Sequence, residues 1–250
     1  MQNTKQGNVT SSFRHPSSCA RFHNLVKFIM MKSEKISELT TNRLSVYLRC
    51  LNEIAESGDK TVSSKALADR FHLNSAQIRK DLAYFGEFGV RGVGYYVEAL
   101  QEHLTKILGL DRENRVAIIG AGRLGTALAD YYGFQKANFK VSALFDADPN
   151  KIGKKIGQTE VKDIKNFAAL VKQDNIEVAV IAVQAEFAQA ALDQVEKAGI
   201  KAVMNFAPVA LKASKGVKLK TIDLTTSLES LSYFLATPAK ENSNGVKPKS

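Results

Sequence analysis

Tryptophan is absent from this chain, and cysteine nearly so: Cys19 and Cys50 are the whole supply. Two cysteines cannot make a disulfide framework. With no secretory signal in view, they point to a reducing, cytoplasmic setting. His15, His23, His72 and His103 have no ligand-like spacing with either cysteine, which argues against a metal site. Long apolar runs are missing as well. Nothing approaches the ~20 residues that span a bilayer, and Lys27 breaks the short apolar stretch 24–31, so it makes a poor signal-peptide core. No membrane association is expected.

Acidic residues are outnumbered, 25 to 35, for a net charge of +10. The excess says little about a nucleic-acid surface, because of where it lies. Residues 1–30 hold four Lys/Arg and no acid, and residues 236–250 hold three basic and one acidic residue. The two terminal stretches therefore contribute +6 of the +10. Residues 1–38 are polar, Ser-rich and aperiodic, which predicts a disordered N-terminal extension. Met30 and Met31 stand just before the first helical signal and are candidate start sites. Residues 237–250 read as a flexible tail.

From residue 39 the pattern becomes helical. Asn42 is a candidate cap for a helix through Leu44, Tyr47, Leu48, Leu51 and Ile54, ended by Gly58. Ser63-Ser64 opens a short second helix. His72-Leu73-Asn74 is a turn, and Asn74 or Ser75 caps a third helix ending near Gly86. Glycines 89, 92 and 94 flank β-prone residues, which predicts a hairpin wing. Residues 39–112 thus read as a winged helix-turn-helix, with a connecting helix over 98–110.

From residue 113 to 223, strand and helix alternate. Strands are expected at 116–119, 140–145, 178–183, 202–205 and 217–223, with a helix over 185–197 ended by Gly199. Continuous apolar runs suit parallel strands covered on both faces. The fold class is α/β, a doubly wound Rossmann domain following the winged helix. An amphipathic helix is expected near the C-terminus.

Two motifs carry the chemistry. Gly120-Ala121-Gly122-Arg123-Leu124-Gly125 fits G-x-G-x-x-G between a strand and a helix. The first glycine permits a tight turn, the second admits a pyrophosphate, and the third lets the helix approach the sheet. Asp146 lies 21 residues past Gly125 (146 − 125), at the end of the second strand. An acid there accepts hydrogen bonds from ribose hydroxyls and repels a 2′-phosphate, which favours NADH and NAD+ over their phosphorylated counterparts. In the third helix, Arg79 suits guanine, Gln77 adenine, and Lys80 phosphate. Lys60, Ser63, Ser64 and Lys65 are candidate phosphate contacts, and Arg91 and Tyr95 on the wing are placed to reach a minor groove.

Weaker features have plain alternatives. Asn205, at a strand end before Phe206-Ala207-Pro208, either bonds a carboxamide or closes a turn with a structural proline. Tyr132 and Lys136 have the Tyr-x-x-x-Lys spacing of short-chain dehydrogenases. They follow the glycine turn too closely for that role. Cys50, mid-helix at an apolar position, reads as core packing.

Taken in order, these marks resemble the Rex family of redox-sensing transcriptional repressors over roughly residues 42–235. The marks are Tyr47-Leu48-Arg49, Gln77–Leu82 with Phe85-Gly86, Arg91–Tyr95, the glycine turn, Phe145-Asp146 and Asn205–Pro208. Gln184 departs from the pattern, standing where a proline is usual. The resemblance implies a homodimer on palindromic double-stranded operator DNA, with NADH and NAD+ as effector ligands and no catalysis. It implies that residues 224–236 form a dimerisation helix swapped into the partner. It also implies a switch in which Asp223 pairs with Arg49 when DNA can bind and with Tyr131 when NADH is held. Two other readings compete. One is an NAD-dependent dehydrogenase with an accessory winged helix. The other is a constitutive DNA-binding protein whose Rossmann domain only dimerises.

Overall fold

The computed structural model describes residues 36–236. Most of the expected N-terminal extension and all of the expected tail lie outside the described residues. The chain divides into two compact units, Met1–Asp111 and Arg112–Ser250.

The first unit opens with α1 (Glu38–Glu56), capped by Ser37, whose hydroxyl accepts from the Thr40 amide. The helix therefore starts one turn before Asn42. Ser37 offers the better cap because its backbone is extended while its side chain reaches back to the first turn. Leu44, Tyr47, Cys50, Leu51 and Ile54 recur on the buried face of α1. Cys50 is a packing residue, as its position in the helix suggests. Truncating Leu51, which is fully buried, to alanine costs about 2–5 kcal/mol.

A short strand, β1 (Thr61–Val62), leads to α2 (Ser64–Phe71). Ser63 caps α2, and His72 ends it in the left-handed conformation. Asn74 then caps α3 (Ser75–Phe85), accepting from the Ala76 and Gln77 amides. Strands β2 (Gly89–Val90) and β3 (Gly94–Tyr96) form the wing hairpin. The apolar pattern did not reveal β1, which pairs with β3 and makes the wing three-stranded. Two residues are too few to show an alternation. The helix α4 (Val97–Ile107) closes the unit.

The second unit holds a seven-stranded sheet. Its strands are β4 (Asn114–Ile119), β5 (Phe139–Asp146), β6 (Lys155–Ile156), β7 (Thr159–Asp163), β8 (Val178–Ile181), β9 (Ala202–Asn205) and β10 (Lys218–Thr221). Their order is β10-β9-β8-β4-β5-β7-β6. All neighbours are parallel except β6 and β7, which run antiparallel. The strands β6 and β7 were not expected from the sequence. β7 exposes or half-buries four of its five residues, so it lacks the apolar run that marks the central strands. The strands expected over 178–183 and 217–223 are shorter than read, spanning Val178–Ile181 and Lys218–Thr221.

Strand order reverses at β4, whose neighbours β5 and β8 carry the chain to opposite halves of the sheet. Two apolar clusters sandwich this centre, one built on Ile119, Phe145 and Ile181 and the other on Ile118, Leu144 and Val180. The helices of this unit are α5 (Arg123–Ala129), α6 (Tyr132–Lys136), α7 (Phe167–Gln173), α8 (Ala185–Lys197) and α9 (Leu224–Ala236). No helix among the described residues is long and apolar enough to cross a membrane.

Candidate nucleotide cleft and nucleic-acid interface

Ligands of doubly wound sheets sit beyond the carboxyl ends of the strands, where strand order reverses. Here that point is the end of β4, and the glycine turn occupies it. Gly120 has φ +106°, a conformation that L side chains avoid, and an added Cβ would lie 2.5 Å from the Ala182 carbonyl oxygen. Gly125 brings α5 against the turn: a Cβ there would lie 1.8 Å from the Gly120 oxygen. Gly122 differs from both. Its φ of −85° suits any residue, and nothing among the described residues lies within 4 Å of its would-be Cβ. Its lack of a side chain serves only what approaches from outside.

Asp146 ends β5 beside the turn. One carboxylate oxygen accepts from the Ala121 amide at 2.8 Å and from the Lys151 ammonium at 2.9 Å; the other accepts from the Asp148 amide at 2.9 Å. Burial pushes this carboxyl up. The bonds from Asp148, Lys151 and Ala121 reverse that and hold it below the ordinary aspartate value. It is therefore ionised at neutral pH and acts only as an acceptor. A cleft of about 580 Å³ opens from Gly120, Gly122 and Asp146 past Lys151 to apolar walls at Ile164, Val183 and Phe187. No side chain caps the start of α5. Arg123 and Leu124, the variable residues of the turn, are exposed.

Asn205 takes the second of its two roles. It is fully buried. Its amide nitrogen donates to the Ala207 and Val209 carbonyls at 3.0 and 3.3 Å, and its side-chain oxygen accepts from the Ala207 amide at 2.9 Å. The side chain is spent on closing the turn, which corrects the expectation that it bonds a cofactor carboxamide.

In the first unit, α3 turns Ile78, Asp81, Leu82 and Phe85 inward and leaves Ala76, Arg79 and Lys80 exposed. The Arg79 guanidinium donates to the Ser64 hydroxyl at 2.9 Å, linking α3 to the start of α2. Lys60, Ser63, Lys65 and Arg91 are exposed. Tyr95 is not: it is 7% exposed and packs in the core of the unit, and burial pushes its hydroxyl above its ordinary pKa. The alternation of β3 turns Tyr95 inward and Tyr96 outward, which corrects the expected groove contact. Gln77 is half-buried, and its amide nitrogen donates to Asp81 at 2.7 Å.

Of the three expected switch residues, Arg49 belongs to the first unit and Tyr131 and Asp223 to the second. Arg49 is exposed on α1, its Nε directed at the Ser45 carbonyl at 3.5 Å. Tyr131 and Phe134 stack edge to face and line a second cleft, about 780 Å³, at the opposite end of β4, β5 and β7. Asp223 caps α9, accepting from the Thr225 and Thr226 amides at 2.9 and 3.2 Å. Tyr132 and Lys136 are the two ends of α6. Among the described residues no cluster of His, Cys, Asp and Glu fits a metal ion.

Sequence reading missed Lys151 and the partners of Asp81, which are Arg43 and Tyr47. Lys151 lay five residues past Asp146, behind a Pro-Asn step that gave no period to follow. Arg43 and Tyr47 are spaced i, i+4 on α1, a signal that they share a face.

The redox-sensing transcriptional repressor Rex of Carboxydothermus hydrogenoformans is 46% identical over 203 residues, covering 81% of this chain and 98% of its own. The chain belongs to the Rex family of redox-sensing transcriptional repressors. Two profile matches agree with the two units of this Rex-family chain. Residues 35–83 match "Putative DNA-binding protein N-terminus", and residues 111–209 match "CoA binding domain". A crystal structure of RSP in complex with β-NAD+ and operator DNA aligns at TM-score 0.77 and 39% identity, over 80% of this chain and 92% of that one. A structure of RSP in complex with β-NADH aligns at TM-score 0.72 and 37% identity, over 80% and 94%.

Proposed function

We propose that this chain binds palindromic operator DNA as a homodimer, represses transcription there, and releases the DNA when NADH fills the cleft at the glycine turn. One observation carries the reading. A single chain holds an outward-facing Arg79 and Lys80 on a capped helix-turn-helix, and a dinucleotide-type cleft at the strand-order reversal. The solved relative that holds operator DNA also holds NAD+, and the same protein has been solved with NADH.

In the cleft, the pyrophosphate lies over Gly122, where no described residue would meet a side chain. Gly120, Ala121, Arg123, Leu124 and Gly125 shape the rest of the turn, and Asp146 accepts from the adenosine ribose. On the DNA side, Arg79 and Gln77 meet base edges while Lys80, Lys60, Ser63, Lys65 and Arg91 hold phosphates. Ser64 orders the Arg79 guanidinium. The protein works in the cytoplasm, where the DNA and the nicotinamide pool meet.

The homodimer rests on α9. Leu228, Leu231, Tyr233, Phe234 and Leu235 are 59–88% exposed, and the helix buries no residue of its own. Burying one such side chain contributes about 1.5–3 kcal/mol, so a helix this apolar calls for a partner surface. A second copy of the chain supplies it by exchange of the helix. Asp223, at the base of α9, then passes between Arg49 and Tyr131 as the two states alternate.

The test is operator binding by fluorescence anisotropy, titrated with NADH, NAD+ and NADPH. Release by NADH at the lowest concentration supports the proposal. Binding that ignores every nucleotide refutes it and favours a constitutive DNA-binding protein.

A further inference from the structure

Asp81 is the only buried charged side chain among the described residues, and it lies on the recognition helix. Four donors converge on it. One carboxylate oxygen takes the Gln77 amide at 2.7 Å and Arg43 Nη2 at 2.8 Å. The other takes Arg43 Nε at 2.5 Å and the Tyr47 hydroxyl at 2.9 Å. A carboxylate offers about four lone-pair sites, so this one is fully used. Burial pushes its pKa up, but the bonds from Arg43, Gln77 and Tyr47 win and leave it below the ordinary aspartate range. It is therefore ionised, and an ionised carboxylate can only accept.

That constraint reaches the DNA face. Gln77 stands in the first turn of α3, where recognition helices contact base edges. A free glutamine can lead with either end of its amide. Leading with nitrogen, it donates to guanine O6 or thymine O4. Leading with oxygen, it accepts from adenine N6 or cytosine N4. Beside Asp81 the nitrogen is held inward, four residues away along the same helix face.

We propose that Asp81 is a positioning residue that orients Gln77 so that its carbonyl oxygen leads into the major groove. Gln77 then selects a base carrying an exocyclic amino group and rejects one carrying a carbonyl at the same place. Arg43 and Tyr47 complete the device from α1, so the first helix of the unit takes part in base selection without touching a base. This rests on the reading of α3 as the recognition helix.

The experiment compares the full-length native protein, Gln77→Met, Asp81→Asn and Arg79→Ala on operators substituted singly at each base pair, in NAD+. Gln77→Met identifies the base pair that Gln77 reads, as the one position where discrimination is lost. At that position the native protein is expected to prefer adenine or cytosine on the contacted strand by about tenfold over guanine or thymine. Asp81→Asn presents an amide that also donates, frees Gln77 to flip, and should shrink that preference to within about threefold while sparing other positions. A native preference for guanine or thymine there overturns the proposal. So does an Asp81→Asn protein weakened by the same factor on every operator, which is what a purely structural role predicts. If Asp81→Asn does not fold, the native preference at the Gln77→Met position still decides. Position-specific loss in Arg79→Ala with none in Gln77→Met refutes this proposal alone. No position-specific change in either variant refutes the recognition-helix reading as well.

Discussion

The Lys151 ammonium lies 2.9 Å from the Asp146 carboxylate oxygen that also accepts the Ala121 amide. The acid proposed to receive a ribose is thus already tied to the glycine turn and partly neutralised by a cation. Removing Asp146 should loosen the turn and lose the ribose acceptor together. Asp146→Ala is expected to weaken NADH binding about ten- to a hundredfold. Lys151→Ala should act in the other sense on selectivity. With the cation gone, Asp146 repels a 2′-phosphate more strongly, and the ratio of the NADPH to the NADH Kd should rise several-fold. Calorimetric titration of both variants with both nucleotides checks this, and an unchanged ratio in Lys151→Ala refutes it.

The three glycines of the turn should separate folding from binding. Gly125→Ala places a methyl group against the Gly120 oxygen, and overpacking of this kind costs at least 1–3 kcal/mol. Gly122→Ala meets nothing among the described residues, so its melting temperature should stay within a degree or two of the native value. Its NADH affinity should nonetheless fall, and operator DNA should remain bound at NADH concentrations that release the native protein. Native-like NADH binding by a stable Gly122→Ala protein would mean that the pyrophosphate lies elsewhere.

Asp81 makes acid stability predictable. Its folded pKa lies below the ordinary aspartate value of 3.8. The stability it contributes is therefore fully present above about pH 4 and is lost as pH falls through the folded value. Asp81→Asn should cost the winged-helix unit about 1.5–3 kcal/mol at pH 7, the usual contribution of a hydrogen bond to a charged group. The difference in melting temperature between native and variant proteins should narrow steadily below pH 4. A constant gap down to pH 3 would show that the carboxylate charge contributes nothing.

Oligomeric state should follow α9. Leu228→Glu with Phe234→Glu puts two charges on a helix whose apolar side chains are exposed among the described residues. Sedimentation is expected to show a monomer that no longer holds operator DNA, with the melting of each unit little changed. A variant that remains dimeric would place the interface on another surface.

Arg49 and Asp223 are proposed to pair in one state only. Asp223 meanwhile caps α9 through the Thr225 and Thr226 amides, so Asp223→Ala has a local cost that a cycle must subtract. In a double-mutant cycle on NADH-induced release, Arg49→Ala and Asp223→Ala should be non-additive. Additive effects would end the pairing scheme.

Local chemistry made much of the protein legible before its coordinates. The glycine spacing, the helix caps Ser63 and Asn74, and the apolar periods of α1 and α8 are all written within a few residues of where they act. The helix α9 was legible too, but not the exposure of its apolar side chains among the described residues. Tertiary structure decided what depends on residues distant in sequence. The sheet turned Tyr95 into the core because register, not residue type, assigns a strand face. Asn205 was claimed by its own turn because a fully buried amide must be satisfied nearby. Arg43 reaches Asp81 across 38 residues, and no period or motif encodes a contact at that separation. Chain-local patterns placed the glycine turn and the helix-turn-helix. Only the approach of Arg43 and Tyr47 on α1 to Asp81 on α3, and of β5 to the glycine turn, decided which atoms of Gln77 and Asp146 the chain itself engages.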